Sequence, residues 1–407
     1  MEKIPPLDLT QQYQHISSEV SEAIQAVLTS GRYIGGSAVE AFERQFAEYI
    51  GVEIAIGCNS GTDALFLALK AYDIGPGDEV ITTPFSFIAT AETISMVGAT
   101  PIFVDIHPET FNLDLDQVAA AITERTRAIL PVHLFGQPVD MTRLMEIAQA
   151  HQLLVIEDCA QSTGATWQGQ KVGQIGQIGC FSFFPTKNLG AFGDGGAITT
   201  NDQQIAARIQ QIKNHGQSAR YSSVEVGINS RLDAIQAAIL QVKLRHLDTW
   251  NAQRQTIAQR YSRMLANIPG IVTPTELPQG QSVWNQYTIR VPNQAHPSPH
   301  TNGNGKSHEL SRDRLRSHLL EQGISSSLYY PVPIHQQPLY YRLGYRPGDL
   351  PIVEQICQEV LYLPMIPELS MEKQERIVTA IQDFAVQAVN QPAIELRLSQ
   401  VMLEVPD

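Results

Sequence analysis

Long apolar runs are missing from this chain, and so are paired cysteines and any excess of positive charge. A helix needs an uninterrupted apolar stretch of roughly 18 residues to span a bilayer, and none occurs in the 407 residues. A membrane-spanning segment is therefore not expected. Only four cysteines are present, Cys58, Cys159, Cys180 and Cys357. They are widely spaced and form no CxxC pair, which argues against a disulfide framework or zinc site and for a reducing compartment. The opening residues, MEKIPPLDLTQQYQ, hold no apolar signal core, so a cytoplasmic protein is expected. Basic residues number 28 against 41 acidic ones, a formal net charge of −13. That balance opposes a general grip on nucleic acid but leaves room for a local pocket for an anion. Nucleotide-binding fingerprints are missing too. No GxGxxG joins an early strand to a helix, and GATWQGQK at Gly164 matches a P-loop poorly, because Gln170 separates Gly169 from Lys171.

What is present is an ordinary globular composition, 43% hydrophobic and 17% charged, in a chain long enough for a large domain and a smaller one. From about Glu40 to Asp202, apolar runs alternate with helical patterns. EVITTPFSF, TPIFVDI, TRAILPVHLFG, LLVIEDCAQ and GCFSFFP read as strands; DALFLALKAYDI and DMTRLMEIAQAHQ read as helices between them. Strands without polar alternation predict a mostly parallel sheet covered on both faces, with ligands beyond the carboxyl ends of its strands. A long helical pattern from Arg231 to Leu265 then leads out of the first domain. The expected division is a large domain over residues 1–250 with an N-terminal arm, a smaller α+β domain over 251–388 and a tail over 389–407. Residues 293–311 are rich in Pro, Asn, Gly and His and read as a flexible surface insertion. The histidines His296, His300 and His308 in that insertion have no fixed geometry for a metal, and no metal site is expected.

One lysine stands out. In SFFPTKNLGAFGDGG, Lys187 follows an apolar strand pattern and precedes Gly190, Gly193, Gly195 and Gly196. Alone, this reads equally as a solvated surface loop. Two other stretches change the reading. In NSGTDALFLALKA, Ser60, Gly61 and Thr62 open a helix, where free N–H groups and the helix dipole favour a phosphate; an ordinary capped helix is the plainer alternative. In LLVIEDCAQS, Asp158 ends a buried apolar run, and a carboxylate there needs a cationic partner unless it only caps the next helix. Gln161 follows three residues later. A phosphate cradle, a buried carboxylate and a lysine on one rim suit pyridoxal 5′-phosphate.

These stretches, with TPFSFIATAE, ATPIFVDI, VHLFG and GINSRLDAIQAAIL, resemble the DegT/DnrJ/EryC1/StrS family of sugar aminotransferases from the first residues to about residue 385. The resemblance implies an α/β, fold-type I pyridoxal phosphate transferase with a mostly parallel mixed sheet flanked by helices. It implies that Lys187 forms the Schiff base and shuttles the proton, and that Asp158 pairs with the pyridinium nitrogen. Gln161 would approach the phenolic oxygen, Gly61, Thr62 and Ser182 would hold the phosphate, and Phe87 would stack on the ring. Asn229 would reach the phosphate of a neighbouring subunit, making a homodimer with shared sites. Arg231 is either structural or an anion contact, His133 shapes a loop, and Tyr330 and His335 belong to a sugar-side segment. The implied reaction moves an amino group, from glutamate, to a keto sugar on a nucleoside diphosphate. A subset of the family carries histidine in place of the lysine and performs dehydration; Lys187 favours transamination. A ligand-sensing regulator of the same fold is the other alternative.

Overall fold

The computed structural model describes residues 2–292 and 311–390. Helices α1 (Leu9–Ser30) and α2 (Ser37–Ile50) precede a sheet built from β1 (Ile54–Cys58), β2 (Glu79–Thr82), β3 (Thr100–Phe103), β4 (Thr126–Leu130) and β5 (Leu154–Asp158). Helices α3 (Gly61–Ala71), α4 (Ala89–Met96), α5 (Leu115–Ala121) and α6 (Met141–Ala150) connect these strands. The short strands β6 (Thr166–Trp167) and β7 (Gln170–Lys171) form a hairpin before β8 (Ile178–Ser182) and β9 (Gly196–Thr200) return to the main sheet. Helix α7 (Gln203–Ile212), the hairpin β10 (Gln217–Ala219) and β11 (Ser222–Ser223), and the long α8 (Ala234–Leu265) complete the first part.

The main sheet runs β1-β9-β8-β5-β4-β2-β3. Its pairs from β8 to β3 are parallel. Strand β9 is antiparallel to both neighbours, so the sheet is mixed and mostly parallel, as expected. Side-chain alternation splits each strand between two cores. Ile156, Cys180 and Ile198 pack with α3 and α7 on one face. On the other face Phe181 and Ala197 meet α2 and α8, and Ile129 and Val155 meet α5 and α6. Burial on both faces explains why these strands read as continuous apolar runs. Phe46 stands edge-on to Phe181 at 5.0 Å and to Phe183 at 5.3 Å, and each of the three is fully buried. Truncating one of these phenylalanines to alanine is expected to cost about 3–5 kcal/mol.

The second part holds β12 (Gly280–Gln281), which joins β6 and β7, and the pair β13 (Tyr287–Arg290) and β14 (Val360–Leu363). Helices α9 (Arg312–Glu321), α10 (Pro351–Glu359) and α11 (Met371–Asn390) surround that pair. Helix α8 serves both parts. Ala234, Ala237 and Leu240 belong to the first core, and Ile257, Tyr261 and Leu265 to the second. Residue 250 therefore lies within one unbroken helix. Ile4, from the N-terminal arm, is buried in the second core and bridges to Ile324. The expected insertion lies outside the described residues except for Ser311, which caps α9 through the Arg314 N–H. His296, His300 and His308 also lie outside them, as does the tail beyond residue 390.

Candidate active site

A cavity of about 430 Å³ opens beyond the carboxyl ends of the central strands. Strand alternation after Ile178 decides what reaches it. Phe181 and Phe183 point into the core, while Ser182, Phe184 and Lys187 line the cavity. The Phe184 carbonyl accepts from the Lys187 N–H at 2.9 Å, and the Phe183 carbonyl from the Ala191 N–H at 2.7 Å. This tight turn needs glycine at 190, where a Cβ would lie 2.3 Å from the Pro185 carbonyl oxygen. The lysine is half-buried, and desolvation pulls its pKa down from 10.5 to about 8, with Asp158 pulling the other way. A lysine held there gives up its proton more readily than one in water.

Across the cavity, Ser60 caps α3 by accepting from the Asp63 N–H at 3.1 Å. Gly61 and Thr62 line the wall, and the first N–H groups of a helix have no acceptor within it. Gly61 is required by close approach: a Cβ there would stand 2.6 Å from the Ser182 Cβ. The helix end and Ser182 therefore form one narrow cradle, with the geometry and dipole that suit a phosphate. Asp158, 4% exposed at the end of β5, accepts from Thr90 Oγ1 at 2.9 Å and from the Ala160 N–H at 3.1 Å. Burial raises its pKa above the ordinary 3.8. Such a carboxylate favours a cationic N–H facing it. Gln161 has a defined amide orientation: Oε1 accepts from the Phe135 N–H at 2.7 Å, so Nε2 donates to Tyr330 Oη at 3.0 Å. Burial raises the Tyr330 phenol's pKa. These residues fit pyridoxal 5′-phosphate at each of its polar ends.

Eight expected site residues line this one cavity: Gly61, Thr62, Phe87, Asp158, Gln161, Ser182, Lys187 and Tyr330. Phe87 is 58% exposed there, a bare aromatic face. Three others lie elsewhere. Asn229 is exposed, next to Ser230, whose Oγ accepts from the Asn59 N–H at 3.2 Å. Arg231 is half-buried, with no partner for its guanidinium among the described residues. His335 is 1% exposed and faces Glu354 at 3.3 Å, with its pKa lowered by burial. Sequence reasoning missed Thr90, Asp194, Asn285, Gln286, Pro6 and Leu7. A buried Asp158 signalled the need for a hydroxyl donor such as Thr90. Asp194 sat inside the glycine-rich run already singled out. The others reach the cavity only through the packing of the two parts.

His133, Glu157 and Cys159 cluster behind the site with ligand atoms close together. Hydrogen bonds explain the cluster. His133 Nδ1 accepts from the Val139 N–H at 3.1 Å, so Nε2 carries the proton it shares with Glu157 at 3.0 Å. The four cysteines are free and buried.

Comparison with known proteins agrees with this site. The sequence model of the DegT/DnrJ/EryC1/StrS aminotransferase family matches residues 14–382. A "pleiotropic regulatory protein" of Geobacillus stearothermophilus is 46% identical, over 94% of this chain and 98% of that protein. The dTDP-3-amino-3,4,6-trideoxy-alpha-D-glucose transaminase of Streptomyces venezuelae is 42% identical, over 94% and 96%. The crystal structure of S. venezuelae DesV in complex with a ketimine intermediate superposes with a TM-score of 0.88 at 42% identity, covering 95% of this chain and 99% of that one. A cavity built for an amine-handling cofactor, inside a fold shared over nearly its whole length, leads to one conclusion: the chain belongs to the DegT/DnrJ/EryC1/StrS aminotransferase family and is a pyridoxal 5′-phosphate-dependent aminotransferase.

Proposed function

We propose that this chain moves an amino group from an amino acid, with glutamate the expected donor, to a keto sugar carried on a nucleoside diphosphate, for amino-sugar or polysaccharide biosynthesis in the cytoplasm. The observation that carries the reading is the placement of Lys187, Asp158 and the Gly61–Ser182 cradle around one cavity. When bound, the cofactor supplies an electron-accepting ring that holds the amino group between donor and acceptor. Lys187, with its lowered pKa, bonds the cofactor and carries the proton at Nζ. The Asp158 carboxylate would keep a proton on the ring nitrogen, and the second N–H of Gln161 Nε2 would donate toward the ring oxygen. Gly61, Thr62 and Ser182 would hold the phosphate, while Phe87 would cover the ring face. Tyr330 stands at the sugar side; His335 supports that segment from behind through Glu354. The "transaminase" name of a relative, with its dTDP-linked sugar, supports the substrate class.

A second copy completes the reading. Phe87 and Phe184, which line the cavity, are 58% and 50% exposed. Large apolar side chains left bare around a site favour a covering partner. In a closed two-fold dimer, Asn229 and the unpartnered Arg231 serve the neighbour's anionic groups. Mixing Lys187→Ala with Asn229→Ala protomers is expected to restore one competent site per heterodimer. With subunit exchange verified, no recovery would return Asn229 to its own chain.

The regulatory name of one relative favours a ligand-sensing alternative, which turnover separates. The test is the half-reaction. The aminated enzyme is offered a panel of nucleotide keto sugars while the visible absorbance of the aldehyde form is followed. Recovery with at least one sugar supports the proposal. Silence across the panel removes the sugar assignment, and turnover of a sugar without amino transfer replaces it with dehydration.

A further inference from the structure

Three loops deliver the polar groups of the cavity, and one chain of side-chain amides, buried at Asn188 and Asn285, joins them. Asn285, 6% exposed and on the far wall of the cavity, donates Nδ2–H to Asn188 Oδ1 at 2.7 Å. Asn188, 4% exposed and next to Lys187, donates Nδ2–H to Asn251 Oδ1 at 2.7 Å and to the Val283 carbonyl at 2.9 Å. Asn251, on α8, donates Nδ2–H to the Thr163 carbonyl at 3.2 Å, and Thr163 lies in the loop that follows Asp158 and carries Gln161. Each amide's orientation is forced by the next acceptor, and the chain terminates on backbone carbonyls. It thus has one arrangement. Asn188 uses both ends of its amide, so no other residue type of that size fills the position with all bonds kept.

We infer that the relay Asn285–Asn188–Asn251–Thr163 positions Lys187 for the reaction, holding its loop in fixed register with the Asp158 loop and with the cavity wall from the second part of the chain. The inference rests on the assignment of Lys187 as the reactive amine. Asn188 is not among the residues that line the cavity, and it acts through Lys187. A misplacement of about 1 Å at a reacting group costs up to about a hundredfold in rate, which sets the scale of the effect.

The experiment compares Asn188→Ala, the isosteric Asn188→Asp and Asn285→Ala with wild type, using Lys187→Ala as a reference. The full chain is read in three ways: kcat and KM for both substrates, thermal stability, and the pH dependence of acylation at Lys187 in the cofactor-free protein. Asn188→Asp keeps the acceptor for Asn285 and loses both donated bonds. In both Asn188 variants kcat is expected to fall about tenfold or more, with KM within about threefold. Loosening the loop admits water to Lys187, so its acylation midpoint is expected to rise from about 8 toward 10.5. A kcat within twofold of wild type, or a loss matched entirely by the unfolded fraction with the acylation midpoint unmoved, overturns the relay. If Asn188→Ala yields no folded protein, Asn285→Ala leaves the Asn188 donors in place and reads the same link with the same outcomes. Lys187→Ala separates the two levels. Activity in that variant defeats the functional reading itself, whereas an inactive Lys187→Ala beside fully active relay variants defeats only the relay.

Discussion

Glu157 and Asp158 are neighbours at the end of β5, both buried carboxylates, and their surroundings differ. Glu157, fully buried, accepts from the backbone N–H groups of Gly173 at 2.9 Å, Ile175 at 2.9 Å and Gly176 at 2.6 Å, and from His133 at 3.0 Å. Asp158 points the other way, into the cavity, and among the described residues its carboxylate has only Thr90 and one backbone N–H. Four donors satisfy a buried carboxylate; two leave it short. The satisfied residue holds the β6–β7 side of the fold against β5. The under-satisfied one keeps capacity for a partner that arrives from outside. Burial alone distinguishes nothing here; the donor count does.

The sharpest way to break the comparison is to neutralise each carboxylate in turn. Asp158→Asn is expected to lower turnover on the order of 10²- to 10⁴-fold, the range for a misassigned proton at a reacting group, while the protein stays folded. Glu157→Gln is expected to do the reverse. It places an NH₂ group against backbone donors, and each buried donor left unpaired costs about 1–3 kcal/mol. Denaturant unfolding would show that loss, and activity per folded molecule should stay within a few-fold of wild type. Equal catalytic losses in both variants would erase the distinction.

Much of this was legible in the sequence. Apolar runs exposed the parallel strands because both faces of the sheet are covered, and the glycine-rich turn marked Lys187. The direction of β9 was not legible, since a buried strand reads alike in parallel and antiparallel pairing. Gln161 was recognisable as a site residue, but its orientation depends on the Phe135 N–H, which only the fold brings to it. The same holds for Asn188 and Asn285, separated by 97 residues and joined by one hydrogen bond. Ile4 looked like part of a large-domain arm; its burial in the second core follows from the pairing with Ile324.

Smaller effects concern pH. In the cofactor-free protein, Lys187 titrates near 8 rather than 10.5. Between those values the unfolded chain binds more protons than the native one, so this residue makes stability rise with pH across that window. Lys187→Met is expected to flatten that part of the stability profile. Asp158 has the opposite sign: its raised pKa means the native state holds the proton longer, so its contribution to stability falls as pH rises above 3.8. Asp158→Asn removes that decline and also the attraction that supports the protonated lysine, so the Lys187 acylation midpoint is expected to move lower. An unchanged midpoint would show that the two groups do not sense each other.

Lys243 provides the internal control for the central claim. It is 2% exposed and its pKa is also pulled down to about 8 by burial, yet it lies over the rings of Phe192 and Trp250 and does not line the cavity. A lowered pKa therefore does not single out a lysine; under the proposed function, position on the cavity rim singles out Lys187. Reducing the cofactor-loaded enzyme with borohydride, digesting it and locating the added mass by mass spectrometry tests this directly. The expected result is a single labelled peptide, modified at Lys187. Label on Lys243 or any other lysine, or no stable label at all, would contradict the account.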